Sequence, residues 1–396
     1  MKTPAMKTLA KKALVQVTSI ALGLFATTAL ATGALTASAS AAPVPLSDAQ
    51  LSGIVAGEDF TIVNEVSDQA AVGAPTTDPL LVNAWGLSQA PPGGPLWVAN
   101  NGTGTSTLYN FTSFSKIPLN VIIPGGGGGD SAPTGTVFTS LHGNSFRVSE
   151  NGVSGHSLFL FDGEDGSISG WAPTVDLTHA IIAVDHSAAG DVFKGLTLTY
   201  LGAAPEILAA DFAHNQVEVF NNQFHQTGSF TDPSLPAGYA PFNVQTLNGK
   251  VYVAFAMHGE GHDEAHGAGL GFVDVFDTSG HKLQTLISGG PLNAPWGLTI
   301  APASFGKFAG ALLVGNFGDG KVNAFDPATG AFLGALSAAD GAPLSIDGLW
   351  ALRNGPNGTV VFSSGPGDES HGLVGVIRPN WAAASWAFQS HVVLGR

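Results

Sequence analysis

One stretch, 293–326, constrains the fold more than any other, because the chain repeats it. It reads NAPWGLTIAPASFGKFAGALLVGNFGDGKVNAFD and contains three short apolar or alternating runs separated by turn residues. Trp296 to Ile300 and Ala311 to Gly315 are apolar, and Lys321 to Phe325 alternates polar and apolar. Asp319-Gly320 is a hairpin signal, since both residues tolerate the positive φ of a tight turn. Five further windows carry degraded copies. Their first strands centre on Trp85, Val137, Leu196, Asn243, Trp296 and Leu349, at spacings of 52, 59, 47, 53 and 53 residues. Near-equal windows of this length, each with about four short strands, predict a six-bladed β-propeller. A single blade cannot bury both faces, whereas a closed ring can. The glycine of WGL lets inner strands approach the narrow axis. The run Thr61 to Val66 precedes blade one and is expected to complete blade six and close the ring. A tandem of sandwiches or a solenoid is the competing architecture, and neither requires six near-equal windows.

Composition agrees with an all-β chain. Of 396 residues, 53 are Gly and 24 Pro, and only 11% are charged, which suits tight turns rather than long surface helices. At 44% hydrophobic, the chain can build a large core. The expected organisation is a signal peptide over 1–41, a linker over 42–59, the propeller over 60–378 and a C-terminal tail over 379–396. Lys2, Lys7, Lys11 and Lys12 form a basic start, Ala13 to Leu35 is apolar, and Ala39-Ser40-Ala41 offers a cleavage site. An uncleaved anchor is the alternative. The expectation is a Sec-type exported protein, secreted or periplasmic, soluble and monomeric after cleavage. Without those four lysines, 10 basic residues face 29 acidic ones, a formal charge of −19. Nucleic acid and anionic membrane surfaces are therefore not expected partners. With no cysteine, disulfides and thiolate metal sites are excluded.

Several long motifs in order, LVNAWGL, DGSISGW, NFGDGKVNAFDPATGAFLGAL, IDGLWAL and GPGDESHGL, resemble an uncharacterised exported family found mainly in bacteria. The resemblance covers about residues 60–378. More distantly the repeat is similar to NHL-repeat and gluconolactonase-like six-bladed propellers. It implies the fold and export, and it supplies no catalytic residues. Gluconolactonase-like enzymes hold a metal with Glu, Asn and Asp at the axis. Here no Glu precedes the first inner strand at the position of Asn83, which counts against lactonase activity.

Three groups could carry chemistry. The first is the loop from Met257 to Gly267, where His258, His262 and His266 stand among acids including Asp263. Histidine with carboxylate suits zinc, copper or nickel, while the structural reading is a solvated insertion between the second and third strands of blade four. H-E-x-x-H is absent, so a zincin-type protease is not supported. The second group is Asn83, Asn243, Asn293 and Asp347 at inner-strand starts, with Asn316 after a second strand. If they converge at the axis they could hold Ca2+ or another divalent cation; otherwise they cap strands and satisfy turns. The third is Gly365 to Gly372, whose Asp368, Ser370 and His371 are too close in sequence to form a triad. The glycine run Gly125 to Gly129 lacks the ending of a phosphate loop and reads as a flexible connector. Trp85, Trp296 and Trp350 read as packing residues.

The preferred reading is a ligand-binding or scaffold propeller with a divalent cation at the axial mouth, its partner a small molecule or an envelope protein. The alternatives are a metal-dependent hydrolase of the lactonase or phosphotriesterase type and a cell-envelope interaction module.

Overall fold

The computed structural model describes residues 59–129 and 131–380. The expected signal peptide, all but the last residue of the linker, and residues 381–396 of the tail lie outside the described residues.

Six sheets follow one another around an axis, antiparallel except where Thr76–Thr77 pairs parallel to the outer edge of Phe60–Ser67. Blade one is Ala84–Gln89, Leu96–Asn100, Thr105–Tyr109 and Lys116–Ile122. Blade two is Pro133–Phe138, Phe159–Gly163, Ser167–Trp171 and Ile181–Asp185. Blade three is Phe193–Leu201, Ala204–Asp211, Gln216–Phe220 and Gln226–Phe230. Blade four is Tyr239–Leu247, Lys250–His258, Phe272–Phe276 and Lys282–Ser288. Blade five is Pro295–Ile300, Leu312–Asn316, Val322–Phe325 and Phe332–Ala335. Blade six takes Leu349–Asn354, Val360–Ser364 and Leu373–Pro379 from the end of the chain. Its outer strand is Phe60–Ser67, paired antiparallel to Leu373–Pro379 from Phe60↔Pro379 to Ser67↔Leu373. The ring is therefore a six-bladed propeller closed by its N-terminal strand.

Consecutive inner strands touch one another all the way round, including blade six against blade one. The small residues of the WGL motif make this possible. A Cβ on Gly86 would lie 2.5 Å from the carbonyl oxygen of Thr134 in blade two, and one on Gly135 would lie 2.5 Å from the amide nitrogen of Leu196 in blade three. At both sites the obstacle is the neighbouring backbone, which cannot swing aside. Between blades, apolar side chains pack face to face. Phe60, Phe305, Phe308, Leu313 and Phe362 fill the junction of blades five and six, and Trp97 stacks on Phe159 at 4.2 Å between blades one and two.

Three local features depart from the sequence reading. Arg147–Glu150 and Val153–His156 form an extra hairpin within blade two. The His-rich loop is partly ordered as strand, with Met257↔Ala265 and His258↔Glu264 paired. The glycine connector is pinned rather than loose. Asp165 accepts the Gly126 N–H at 3.0 Å, and Asp185 accepts that of Gly127 at 2.9 Å. Among the described residues, no helix is long and apolar enough to cross a membrane.

Candidate functional site

The site is built from one equivalent position near the start of each inner strand, the second residue in five blades and the fourth, Phe242, in blade four. Trp85, Thr134, Lys194, Phe242, Trp296 and Trp350 occupy equivalent positions, each followed by a small residue or Asn243. The aromatic members pack with Phe212 into one buried cluster around the axis. Trp85 and Trp350 stack at 3.6 Å, and Phe317 stacks on Trp350 at 3.9 Å. Burial of these tryptophans agrees with a packing role.

Lys194 breaks the pattern. It is 2% exposed, yet it stands where blades one, five and six place tryptophan. Its ammonium lies 5.4 Å from the Trp85 ring and 5.8 Å from that of Phe212. Such faces attract a cation through the ring quadrupole. It pairs with Glu164 Oε1 at 2.6 Å. Burial alone would lower its pKa, but Glu164, Glu264 and Asp263 outweigh burial and leave it raised. The lysine is therefore held charged.

From Lys194 a hydrogen-bonded path crosses the mouth. Glu164 Oε2 accepts from Asn101 Nδ2 at 3.0 Å, and Asn101 Oδ1 accepts from Asn83 Nδ2 at 3.2 Å. Asn83 Nδ2 also donates to Glu369 Oε2 at 2.5 Å, while its Oδ1 accepts from Trp350 Nε1 at 2.8 Å. Blades three, two, one and six are joined in this way. Asp368 and Glu369 both adopt positive φ, 53° and 62°, in a turn where the Glu369 N–H donates to Gly365 and that of Gly367 to Asp347. Adjacent left-handed non-glycine residues are uncommon and concentrate where function fixes a side chain.

Above the aromatic cluster lies a cavity of about 350 Å³, lined by Asp263, Glu264, Asp347, Asp368 and Glu369 together with His266 and Phe317. Burial first, then Glu164 and Glu264, push the Glu369 carboxyl up to about 7. His266 is raised, chiefly by its hydrogen bond to Glu264. Such a site can accept positive charge, and Glu369 can exchange a proton near neutrality.

The residues singled out in the sequence are distributed unevenly. Asn83, Asp347, Asp263 and His266 meet at the mouth. Asn243 lies deeper. Its Nδ2 donates to the Trp296 carbonyl at 2.7 Å, and it lines a second cavity of about 280 Å³ at the other end of the channel. Asn293 Oδ1 accepts the Gly267 N–H at 2.7 Å, so it fastens the His-rich loop to blade five. Asn316 donates to the Pro291 carbonyl at 2.8 Å and to Asp319 at 3.0 Å. His258 packs on Phe212 at 4.3 Å, where burial lowers its pKa. His262 is exposed near the tip of its loop. Lys194, Glu164 and Asn101 were not singled out in the sequence. The signal for Lys194 was present, because KGL replaces WGL in an otherwise regular repeat.

No family model matches the chain. Among solved structures it is similar to the soluble aldose sugar dehydrogenase from Escherichia coli, at 13% identity over 81% of this chain and 99% of that one, with a TM-score of 0.49. It is also similar to the WD40 beta propeller domain of Doa1, at 10% identity over 81% and 96%, with a TM-score of 0.42. At this level of similarity neither bears on the site. Two sequence relatives come from Acanthamoeba polyphaga mimivirus. Uncharacterized protein R648 is 31% identical over 331 residues, 80% of this chain and 78% of that protein. Uncharacterized protein L690 is 31% identical over 331 residues, 79% of this chain and 84% of that protein. These relatives are viral, whereas the motif resemblance implied a mainly bacterial family. The chain belongs to the same family as the mimivirus proteins R648 and L690.

Proposed function

We propose that the chain is an exported propeller that binds a small, positively charged organic ligand at its axial mouth. The carrying observation is the lining of the cavity, with five carboxylates and the ring of Phe317 around about 350 Å³. The buried cation beside it, Lys194, is already paired with Glu164. The volume lies at the small end of ordinary ligand cavities. An ammonium or guanidinium group would donate to the carboxylates and rest against the aromatic face. The ligand is a free amine or a basic side chain of an envelope protein, since both present this chemistry. A directly bound Ca2+ needs oxygens converging at about 2.3–2.6 Å. The mouth carboxylates come from two blades and surround a larger space, which favours a molecule, or a hydrated ion, over a bare one. Export is supported by the basic, apolar and small-residue order of residues 1–41.

A thermal-shift panel of mono- and polyamines, arginine, Ca2+, neutral sugars and phosphate on the mature protein tests this. Stabilisation by amines or arginine, lost in Glu264→Gln/Glu369→Gln, is expected. Stabilisation confined to sugars or phosphate would overturn it. One observation favours a hydrolase as a second reading. A carboxyl at about 7 is suited to acid–base catalysis at neutral pH. Turnover of lactones or phosphotriesters that disappears with Glu369→Gln would support that reading.

A further inference from the structure

Outside the axial mouth, five metal-ligating side chains meet between blades two and three. His186 and Asp191 lie on the connection from the outer strand of blade two to the inner strand of blade three. Asp211 and His214 lie at the turn between the second and third strands of blade three, and Glu218 lies on that third strand. His186 Nδ1 is 2.7 Å from Asp191 Oδ2 and 3.3 Å from Glu218 Oε2. His214 Nδ1 is 3.2 Å from Asp191 Oδ1 and 2.8 Å from Asp211 Oδ2. The ligand atoms of His186, Asp191 and Glu218 lie within 4.8 Å of one another, as do those of Asp191, Asp211 and His214.

Hydrogen bonding within the cluster leaves it incomplete. Each Nδ1 carries at most one proton, yet each faces two carboxylates. Glu218 is 3% exposed, and its Oε2 is buried without a hydrogen-bond partner. Its other oxygen accepts from Gln216 Nε2 at 3.0 Å, which turns the free oxygen towards the cluster. Asp211, fully buried, is oriented in the same way. The Val192 and His214 N–H groups donate to its Oδ1 at 3.2 and 3.3 Å, leaving Oδ2 facing the imidazole. Outer-shell donors that aim ligands inward are a habit of metal centres. The ion pairs of these carboxylates are with the two histidines, so positive charge is in short supply.

We propose that His186, Asp191 and Glu218 bind a divalent transition-metal ion of the zinc class, with His214, itself oriented by Asp211, bracing Asp191 from its other oxygen. Mixed imidazole and carboxylate donors suit such ions, whereas Ca2+ and Mg2+ prefer oxygen alone. The ion staples the blade-two connection to blade three, three residues before Lys194. This site is separate from the axial cavity in residues and in preferred ion.

The test is isothermal titration of Zn2+, and the visible spectrum of added Co2+, with the untagged mature protein stripped by chelator. One equivalent of Zn2+, a Co2+ absorption band and a raised melting temperature are expected. Glu218→Gln, nearly isosteric, should weaken binding at least tenfold and His186→Ala should abolish it, with circular dichroism confirming the fold. Glu264→Gln/Glu369→Gln and His262→Ala/His266→Ala should leave the equivalent intact. Absence of a saturable equivalent, its survival in Glu218→Gln, or its loss in either control pair would overturn the proposal.

Discussion

Glu164→Gln is the substitution that most directly probes the buried charge under the mouth. At 2.6 Å, the Lys194–Glu164 attraction is roughly 6 kcal/mol for an effective dielectric near 20. Desolvation of the ammonium offsets several kcal/mol of that, so the pair adds little net stability while intact. Removing one partner is different. The lysine, 2% exposed, loses its ion-pair contact and keeps only the longer-range attraction of Glu264 and Asp263, a loss that costs up to about 3–5 kcal/mol in comparable pairs. Glu164 is 27% exposed, which places this case near about 3 kcal/mol. Lys194→Met removes the cation but keeps the volume. It leaves a carboxylate that water reaches and forfeits the aromatic faces, for about 1–2 kcal/mol. The double variant should match Lys194→Met alone. Urea unfolding followed by tryptophan fluorescence measures all three. If Glu164→Gln proved no more destabilising than Lys194→Met, the ammonium would not be a dependent buried charge and the reasoning would fail.

Two further predictions concern the scaffold. Asp162 is buried, with Oδ1 held by Thr134 and Gly135 and Oδ2 unpartnered, and burial pushes its pKa from 3.8 to about 7. Its favourable contribution is fully present below about pH 4 and is lost as pH rises through 7. The change is worth about 4 kcal/mol. Asp162→Asn should therefore flatten the fall in unfolding free energy between pH 5 and 8, and a slope equal to the wild type's would contradict this. Gly135→Ala should cost about 2–3 kcal/mol, since the new methyl meets the Leu196 amide nitrogen at 2.5 Å. A neutral result in chemical denaturation would mean the inner strands are less tightly set.

Much of this fold could be read from local pattern, because each blade repeats the same strand, turn and glycine chemistry. The closing strand was legible from a leftover: Thr61 to Val66 alternated like a strand but had no partner in blade one. The added hairpin at 147–156 was not legible, because it interrupts blade two without belonging to the repeat. The site was harder, because it depends on which loops meet in space. Asn83 and Asp347 precede the shared inner-strand position and reach the mouth, while Asn243 follows it by one residue, lies deeper in the channel and bonds the Trp296 carbonyl. The His-rich loop drew attention by composition. The cluster of His186, His214, Asp191, Asp211 and Glu218 is spread over 33 positions and has no compositional signal. Lys194 was visible only as an exception to the repeat.

Under the proposed function, the axial cavity binds a small cation through its carboxylates. Isothermal titration of the best-stabilising amine into wild type and Glu369→Gln, at pH 6 and pH 8, tests it most directly. A single site, at least tenfold weaker in the variant, is expected. Binding should also be tighter at pH 8 than at pH 6 in the wild type, because Glu369 titrates at about 7, and this pH dependence should shrink in Glu369→Gln. Equal affinity in the two proteins, or binding that strengthens on acidification, would contradict it.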